Sequence, residues 1–304
     1  MTIHTFNPSY YYSTFGVQTP VLHLQPGDTV ITKTIDAHGF NQHGENLAEY
    51  SNPLVGPFFI DNLDPGDVLV VTLDQITPNR NSGWSYISPI PWTVEASYIT
   101  QLPNREIIQW NVDLSQGLVS PAADYPLLEK IYLKLDPMLG CIGVAPPLWQ
   151  ALTSITLGEF GGNLDCQLLT QGSKIELPVF VPGGLLYLGD AHAAQCDGEI
   201  TGAGIEISCD VTFSVDIIKG VSILCPHGEN QEFFFTIGTG HPLDWAFQNA
   251  TTEMHRWLMT QFKLDTETAG LLISQTIKYV VCSVVSPNYS IACCMPKIML
   301  SFIK

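Results

Sequence analysis

The sequence predicts a mainly β protein, with a β-sandwich-like N-terminal part and a smaller α+β C-terminal part. Two observations carry this reading. Runs rich in β-branched residues and bounded by Gly, Pro or Asp recur up to residue 218, whereas the clearest amphipathic helical stretch begins only after residue 240. The 21 Pro and 25 Gly are spread along the chain as turn punctuation and are not gathered into a linker.

The strands come first. TVITKTI (29–35), DVLVVTL (67–73), REIIQWNVD (105–113) and IEISCDVTFSVDII (205–218) are the strongest candidates. Two segments resemble each other, LQPGDTVITKTIDA (24–37) and LDPGDVLVVTLDQI (63–76). In each, a PGD turn launches a strand that ends at an acid, Asp36 or Asp74. Pro and Gly suit adjacent turn positions, and the Asp can bond its own backbone before the strand starts. The pair predicts two strands of one sandwich entered by similar turns.

PLDWAFQNATTEMHRWLMTQF (242–262) predicts a helix opened by Pro242. Leu243, Ala246, Phe247, Ala250, Met254, Trp257, Leu258 and Phe262 recur at three- and four-residue steps and form one apolar stripe. A second helix is expected over TETAGLLISQTI (266–277), capped by Asp265 or Thr266. A boundary near residue 220 then separates a β-rich region, 1–220, that carries the candidate site from an α+β region, 221–304. No low-complexity linker marks it, so the two are expected to pack tightly.

Composition narrows the partners. At 304 residues, 45% hydrophobic and only 13% charged, the chain can bury a large core. Acids outnumber bases 29 to 12, for a net charge of -17, which opposes binding to nucleic acid or to anionic membranes. MTIHTFNPSYYY has neither the cationic start nor the apolar run of a signal peptide, and no apolar stretch reaches membrane-spanning length. A soluble, cytoplasmic protein is expected. The eight cysteines form no C-x-x-C pair, and Cys209, Cys282 and Cys293 sit in β-like apolar runs as expected buried thiols. There is no G-x-x-x-x-G-K-[ST], no G-x-G-x-x-G opening a helix and no G-x-S-x-G elbow.

Three stretches carry chemistry. In GEFGGNLD (158–165), Gly161 and Gly162 precede Asn163 and Asp165. Adjacent glycines allow positive φ and close approach of N–H groups to an oxyanion, or simply a tight turn. In PVFVPGGLLYLGDAHAAQCDGE (178–199), Asp190 and His192 occupy alternate positions of an extended chain and share a face. Carboxylate plus imidazole is half of a divalent-metal site, or a hydrogen-bonded structural pair. Asp197 and Glu199 repeat the spacing, in a site or in a solvated hairpin loop. In IDAHGFNQHGE (35–45), Asp36 and His38 echo Asp190 and His192, with His43 and Glu45 beyond them. His227, His241 and His255 lack acids at useful spacing and read as structural. Cys166 and Cys196 adjoin Asp165 and Asp197, and an acidic neighbour raises a thiol pKa, so neither is the expected nucleophile.

GGNLD, PVFVPGGLLYLGDAHAAQ-x-DGE and GAGIE, in that order, resemble the signature of the acetamidase/formamidase family. NPLVGPFFIDNLDPGDVLVVTLDQI, PMLGCIGVAPP and PLDWAFQNATTEMHRWL resemble further blocks of it, so the likeness runs along nearly the whole chain. It implies a metal-associated amidase that converts a small aliphatic amide, of the formamide or acetamide type, to acid and ammonia. It also implies a homodimer or larger homo-oligomer. Motif positions carry over at Gly161, Gly162, Asn163, Asp165, Asp190, His192, Asp197, Gly198 and Glu199; Cys196 stands where the family usually has Gly. The resulting expectation is a divalent metal, zinc, held by Asp36, His38, Asp190 and His192. Glu199 and Asp165 are the expected catalytic carboxylates, and Gly161, Gly162 and Asn163 the substrate and oxyanion donors. Two alternatives stand beside it: a non-catalytic binding protein of the same fold, and a hydrolase of a larger amide. Pocket size depends on which of Trp84, Trp92, Tyr98 and Phe160 line it.

Overall fold

A computed structural model describes residues 1–122, 128 and 130–302. The chain is mainly β, as expected, with two α-helices of some length near its C-terminus. Among the described residues the largest sheet has nine strands. Its order is Ile3–Thr5, Thr29–Lys33, Cys209–Ile218, Val68–Pro78, Lys174–Pro178, His227–Glu229, Phe233–Gly240, Tyr289–Pro296 and Lys278–Ser283. A six-stranded sheet runs Leu157–Gly158, Gly161–Asn163, Met138–Gly143, Leu186–His192, Leu54–Ile60 and Leu22–Leu24.

The two PGD segments become Thr29–Lys33 and Val68–Pro78, and both pair antiparallel with Cys209–Ile218 in one sheet. Alternation explains the first: Val30 and Thr32 point inward, while Ile31 between them is exposed. The two large sheets close on one core. Leu69, Val71 and Phe213 from the first meet Phe58, Leu186 and Leu188 from the second, and the Phe58 and Phe213 rings stand edge to face at 5.2 Å. Each such burial stabilises the fold by roughly 1.5–3 kcal/mol.

The strand expected over 205–218 begins only at Cys209, because Glu206 leaves the ladder to bridge the backbones of Trp84 and His192. The strand expected over 67–73 runs on to Pro78, paired throughout with Cys209–Ile218 across one bulge.

The first helix, α1, spans Leu243–Gln261 with Pro242 at its N-cap, and α2 spans Thr266–Thr276. Asp265 caps α2 by accepting from Thr268 N at 2.7 Å. Ala246, Ala250, Met254 and Leu258 of α1 pack with Ala269 and Ile273 of α2 against Ile291, Cys293 and Met295 of the sheet. The stripe read from the sequence is therefore the buried face, although its Phe247 is exposed. The large sheet is continuous across residue 220, since Lys174–Pro178 pairs with His227–Glu229. Among the described residues no helix is long and apolar enough to cross a membrane.

Candidate active site

The central strand Leu186–His192 is buried along its whole length between Met138–Gly143 and Leu54–Ile60. Its last residues deliver Asp190 and His192 to one buried group, with Asp190 Oδ1 3.7 Å from His192 Nε2. Alternation is not what brings them there unaided, for Asp190 has a positive φ of 54°. Asp165 and Glu199 share that left-handed backbone, at 44° and 50°. Non-glycine residues adopt it at a cost of order 1–3 kcal/mol, and such strain gathers where side-chain direction matters more than local stability.

The two aspartates are each held at one end and left open at the other. Asp190 Oδ2 accepts from Asn52 Nδ2 at 2.6 Å, and Asp165 Oδ2 accepts from Asn163 Nδ2 at 2.6 Å. Asn52 also donates to Asn163 Oδ1 at 2.9 Å, which locks the two amides together. Asp165 Oδ1, Asp190 Oδ1, His192 Nε2 and Glu206 Oε2 are buried without a hydrogen-bond partner. Donor atoms of Asp165, Asp190 and His192 lie within 4.8 Å of one another, as do those of His192, Glu199 and Glu206. Gly140 permits this convergence: a Cβ there would stand 2.6 Å from Asp165 Oδ1 and 2.8 Å from Asp190 Oδ2.

Electrostatics sharpen the picture. Burial pushes the Asp165 carboxyl well up, and the Glu199 and Asp190 charges add to it. Burial likewise raises Glu199, with His192 pulling the other way, and pushes Glu206 up to about 8. Burial opposes a charge on His192, yet Glu206 and Asp190 leave its pKa well above the ordinary histidine value. Orphaned buried oxygens around one imidazole are costly unless protons or a cation compensate them. The residues fit a divalent cation: oxygen and nitrogen donors at converging positions, with the far ends of Asp165 and Asp190 already bonded.

A testable consequence follows. The metal-free Glu206 pKa of about 8 lies above its ordinary 4.5. Its protonated form therefore contributes stability that is complete below 4.5 and lost as pH rises through about 8. A cation takes up deprotonated carboxylates, so Zn²⁺ is expected to raise Tm over a chelated sample, and more near pH 8 than near pH 5. Melts that ignore Zn²⁺ at both pH values would contradict this.

The other expected site residues fall elsewhere. Asp36 is saturated: it accepts from Arg80 Nη2 at 2.6 Å, Trp84 Nε1 at 3.1 Å, and the backbone N–H groups of His38 and Phe40. With its oxygens occupied, it joins neither converging group, and nor does His38. The structure therefore sets Asp36 and His38 apart from the converging donors with which they were expected to share a metal. His38 stacks on Trp84 at 3.9 Å, and its Nε2 lies 3.2 Å from the Tyr86 hydroxyl. Gly161 and Gly162 do take positive φ, 89° and 100°. Both are built into the ladder between Leu157–Gly158 and Met138–Gly143, beside the group and not in a free turn. Their missing side chains let three strands close up: a Cβ at Gly162 would stand 2.3 Å from Thr156 O.

A cavity of about 230 Å³ opens over the group, and Asp190, Glu199 and Glu206 form part of its wall with Asn52, Asn163, His38, Trp84 and Tyr86. Trp84 is thus the candidate aromatic that lines it; Phe160 lies in the core, and Trp92 and Tyr98 are largely exposed. The C-terminal region closes the site: Ser283 Oγ donates to Glu199 Oε2 at 2.9 Å, and Asn163 Nδ2 donates to Ser286 Oγ at 3.1 Å. Sequence reasoning missed Glu206, Asn52 and Gly140. Glu206 could have been found as the lone acid of GAGIE between Ile205 and Ile207, both buried. Asn52 and Gly140 carry no comparable local signal.

Cys196 is exposed and has φ -98°, so a side chain is tolerated where the family has Gly; the left-handed positions are Gly198 and Glu199. Cys196→Gly is expected to keep the wild-type rate or exceed it, and thiol-blocking reagents are expected to leave turnover intact. An inactive glycine variant would contradict this. The buried Cys141 is no better a nucleophile, since burial and then Asp190 push its thiol well up.

Scaffold and site define a β-rich protein with a candidate metal centre at the end of its central strand. The chain belongs to the acetamidase/formamidase family, whose sequence profile matches residues 149–300. It is 29% identical over 217 residues to an acetamidase of Mycolicibacterium smegmatis, covering 55% of this chain and 53% of that one. An acetamidase structure from Yersinia enterocolitica superposes with TM-score 0.85 at 29% identity, over 98% of this chain and 93% of that one. One from Bacillus halodurans gives 0.84 at 27%, over 98% and 99%. The chain spans 51–62% of the length of the curated relatives it matches.

Proposed function

We propose that the protein hydrolyses the C–N bond of short aliphatic amides, of the formamide or acetamide type, to carboxylic acid and ammonia, with a divalent metal, zinc, in the buried group. The observation that carries this is the set of orphaned donors, Asp165 Oδ1, Asp190 Oδ1, His192 Nε2 and Glu206 Oε2, under a cavity of about 230 Å³. Such a cavity suits a small polar molecule with a few waters and is below the usual range for drug-sized ligands. Family membership supplies the amide.

Asp165, Asp190, His192 and Glu206 would hold the cation, which when bound supplies Lewis acidity and a more acidic water. Glu199 is the general base. Its carboxyl lines the cavity, Ser283 fixes one oxygen, and burial raises its proton affinity, as a base needs. It takes the proton of the attacking water and returns it to the departing nitrogen. Asp165, beside it, is the group whose own proton affinity the Glu199 charge raises. Asn52 and Asn163 keep the two aspartates aimed. Tyr86 and His38 on the cavity wall offer polar contacts for the substrate carbonyl. A homo-oligomer is proposed from the resemblance alone.

The test is ammonia release from a graded series of amides, before and after chelation and after Zn²⁺ is restored. Activity confined to short amides, lost with chelator and recovered with metal, is the expected result. No release from any amide by metal-loaded protein would overturn the proposal.

A further inference from the structure

Gln195 lies three positions beyond His192, half-buried, with its side chain turned back into the protein. Its Nε2 donates to the backbone oxygen of Asp165 at 2.6 Å and to that of Cys282 at 3.2 Å. Carbonyl oxygens cannot donate, so these contacts fix which end of the carboxamide is NH₂. The other end, Oε1, is 2.8 Å from His192 Nδ1. An amide oxygen only accepts, so Nδ1 must carry the ring proton. In the neutral ring that a metal requires, Nε2 is then the nitrogen with the lone pair, and it lies 3.1 Å from Glu206 Oε1.

We infer that Gln195 is a positioning residue that sets the tautomer and direction of His192, so that Nε2 is the atom offered to the metal. The inference rests on the reading of the buried group as a metal site. One carboxamide thereby ties together the loop at Asp165, the end of the strand carrying His192 and the C-terminal strand Lys278–Ser283. Residues that orient a ligating imidazole through its second nitrogen typically matter 10- to 100-fold in metal affinity.

The test uses ¹⁵N-histidine-labelled full-length protein, titrated with Zn²⁺, with the His192 signals assigned by their loss in His192→Ala. In the wild type, Zn²⁺ is expected to shift Nε2 while Nδ1 keeps its proton. Gln195→Met, close in length but without the acceptor or the donors, should weaken Zn²⁺ binding about 10- to 100-fold by chelator competition. Gln195→Glu, which retains an acceptor for Nδ1–H, should lie nearer the wild type. A Zn²⁺ response at Nδ1, wild-type affinity in Gln195→Met, or no uptake of Zn²⁺ by the wild type would each overturn the inference. If Gln195→Met fails to fold, the wild-type and Gln195→Glu spectra decide it. Failure of the amidase reading looks different: no ammonia is released, while the Zn²⁺ and ¹⁵N results stand.

Discussion

Glu199→Gln is expected to lower kcat for amide hydrolysis at least about a hundredfold, within the hundred- to ten-thousand-fold typical of general acid–base assistance. KM should change little. Gln keeps the shape of Glu and can still accept from Ser283 Oγ, now at 2.9 Å from Glu199 Oε2, but it cannot take a proton from water. The backbone demand at this position, φ 50°, is the same for both residues. The acidic limb of the pH–rate profile should disappear with the carboxyl, because that limb reports the ionisation of the base. Metal content separates the roles: Glu199 also lies within 4.8 Å of donor atoms of His192 and Glu206. If zinc is lost along with rate, Glu199 is a ligand and the base is another carboxyl, with Asp165 next in line. A variant with unchanged rate and unchanged metal, made from a wild type that hydrolyses amides, would defeat the assignment.

Gly140→Ala should cost nearly as much without removing a single titratable group. The new methyl would sit 2.6 Å from Asp165 Oδ1, 2.8 Å from Asp190 Oδ2 and 3.0 Å from the Asp190 carbonyl oxygen. One of these is backbone of a fully buried strand, so the aspartates must separate or the strand must shift. Overpacking of this kind costs about 1–3 kcal/mol in stability. Its effect on function should be larger, since displacement of a donor by about 1 Å can cost a hundredfold. The expected result is a folded protein with depleted zinc and a rate down by about two orders of magnitude. Gly270→Ala is the control: in α2, with nothing within 4 Å of the added Cβ, it should be neutral or slightly stabilising. Full zinc and full rate in Gly140→Ala would show that the two aspartates do not work as a pair.

The legibility of this protein differs from element to element. The PGD strands, α1 and the cap of α2 were readable because each depends on residues adjacent in sequence: a turn, an alternation, an apolar stripe. The strand starting at Cys209 was placed too early, since Glu206 is drawn out of the ladder by Trp84 and His192, which no local pattern encodes. Likewise Gly161 and Gly162 announce positive φ, but whether their N–H groups face a ligand or a neighbouring strand depends on what is packed beside them.

The clearest case is a tripeptide that occurs twice. Asp36-Ala37-His38 and Asp190-Ala191-His192 are the same D-A-H at the end of an apolar run. Sequence by itself determined that each could present a carboxylate and an imidazole from one short segment, and that Glu199 follows the second closely. Tertiary structure decided their fates. Around Asp36, Arg80, Trp84 and two backbone N–H groups satisfy the carboxylate, and stacking on Trp84 occupies His38. Around Asp190, one amide from Asn52 holds one oxygen and leaves the other bare, while Asp165, Glu206 and the space above Gly140 converge from distant parts of the chain. The physical reason is that composition sets which groups can bind, whereas desolvation and the number of donors reaching each oxygen set whether a group stays available, and both are properties of neighbours that only folding brings into contact.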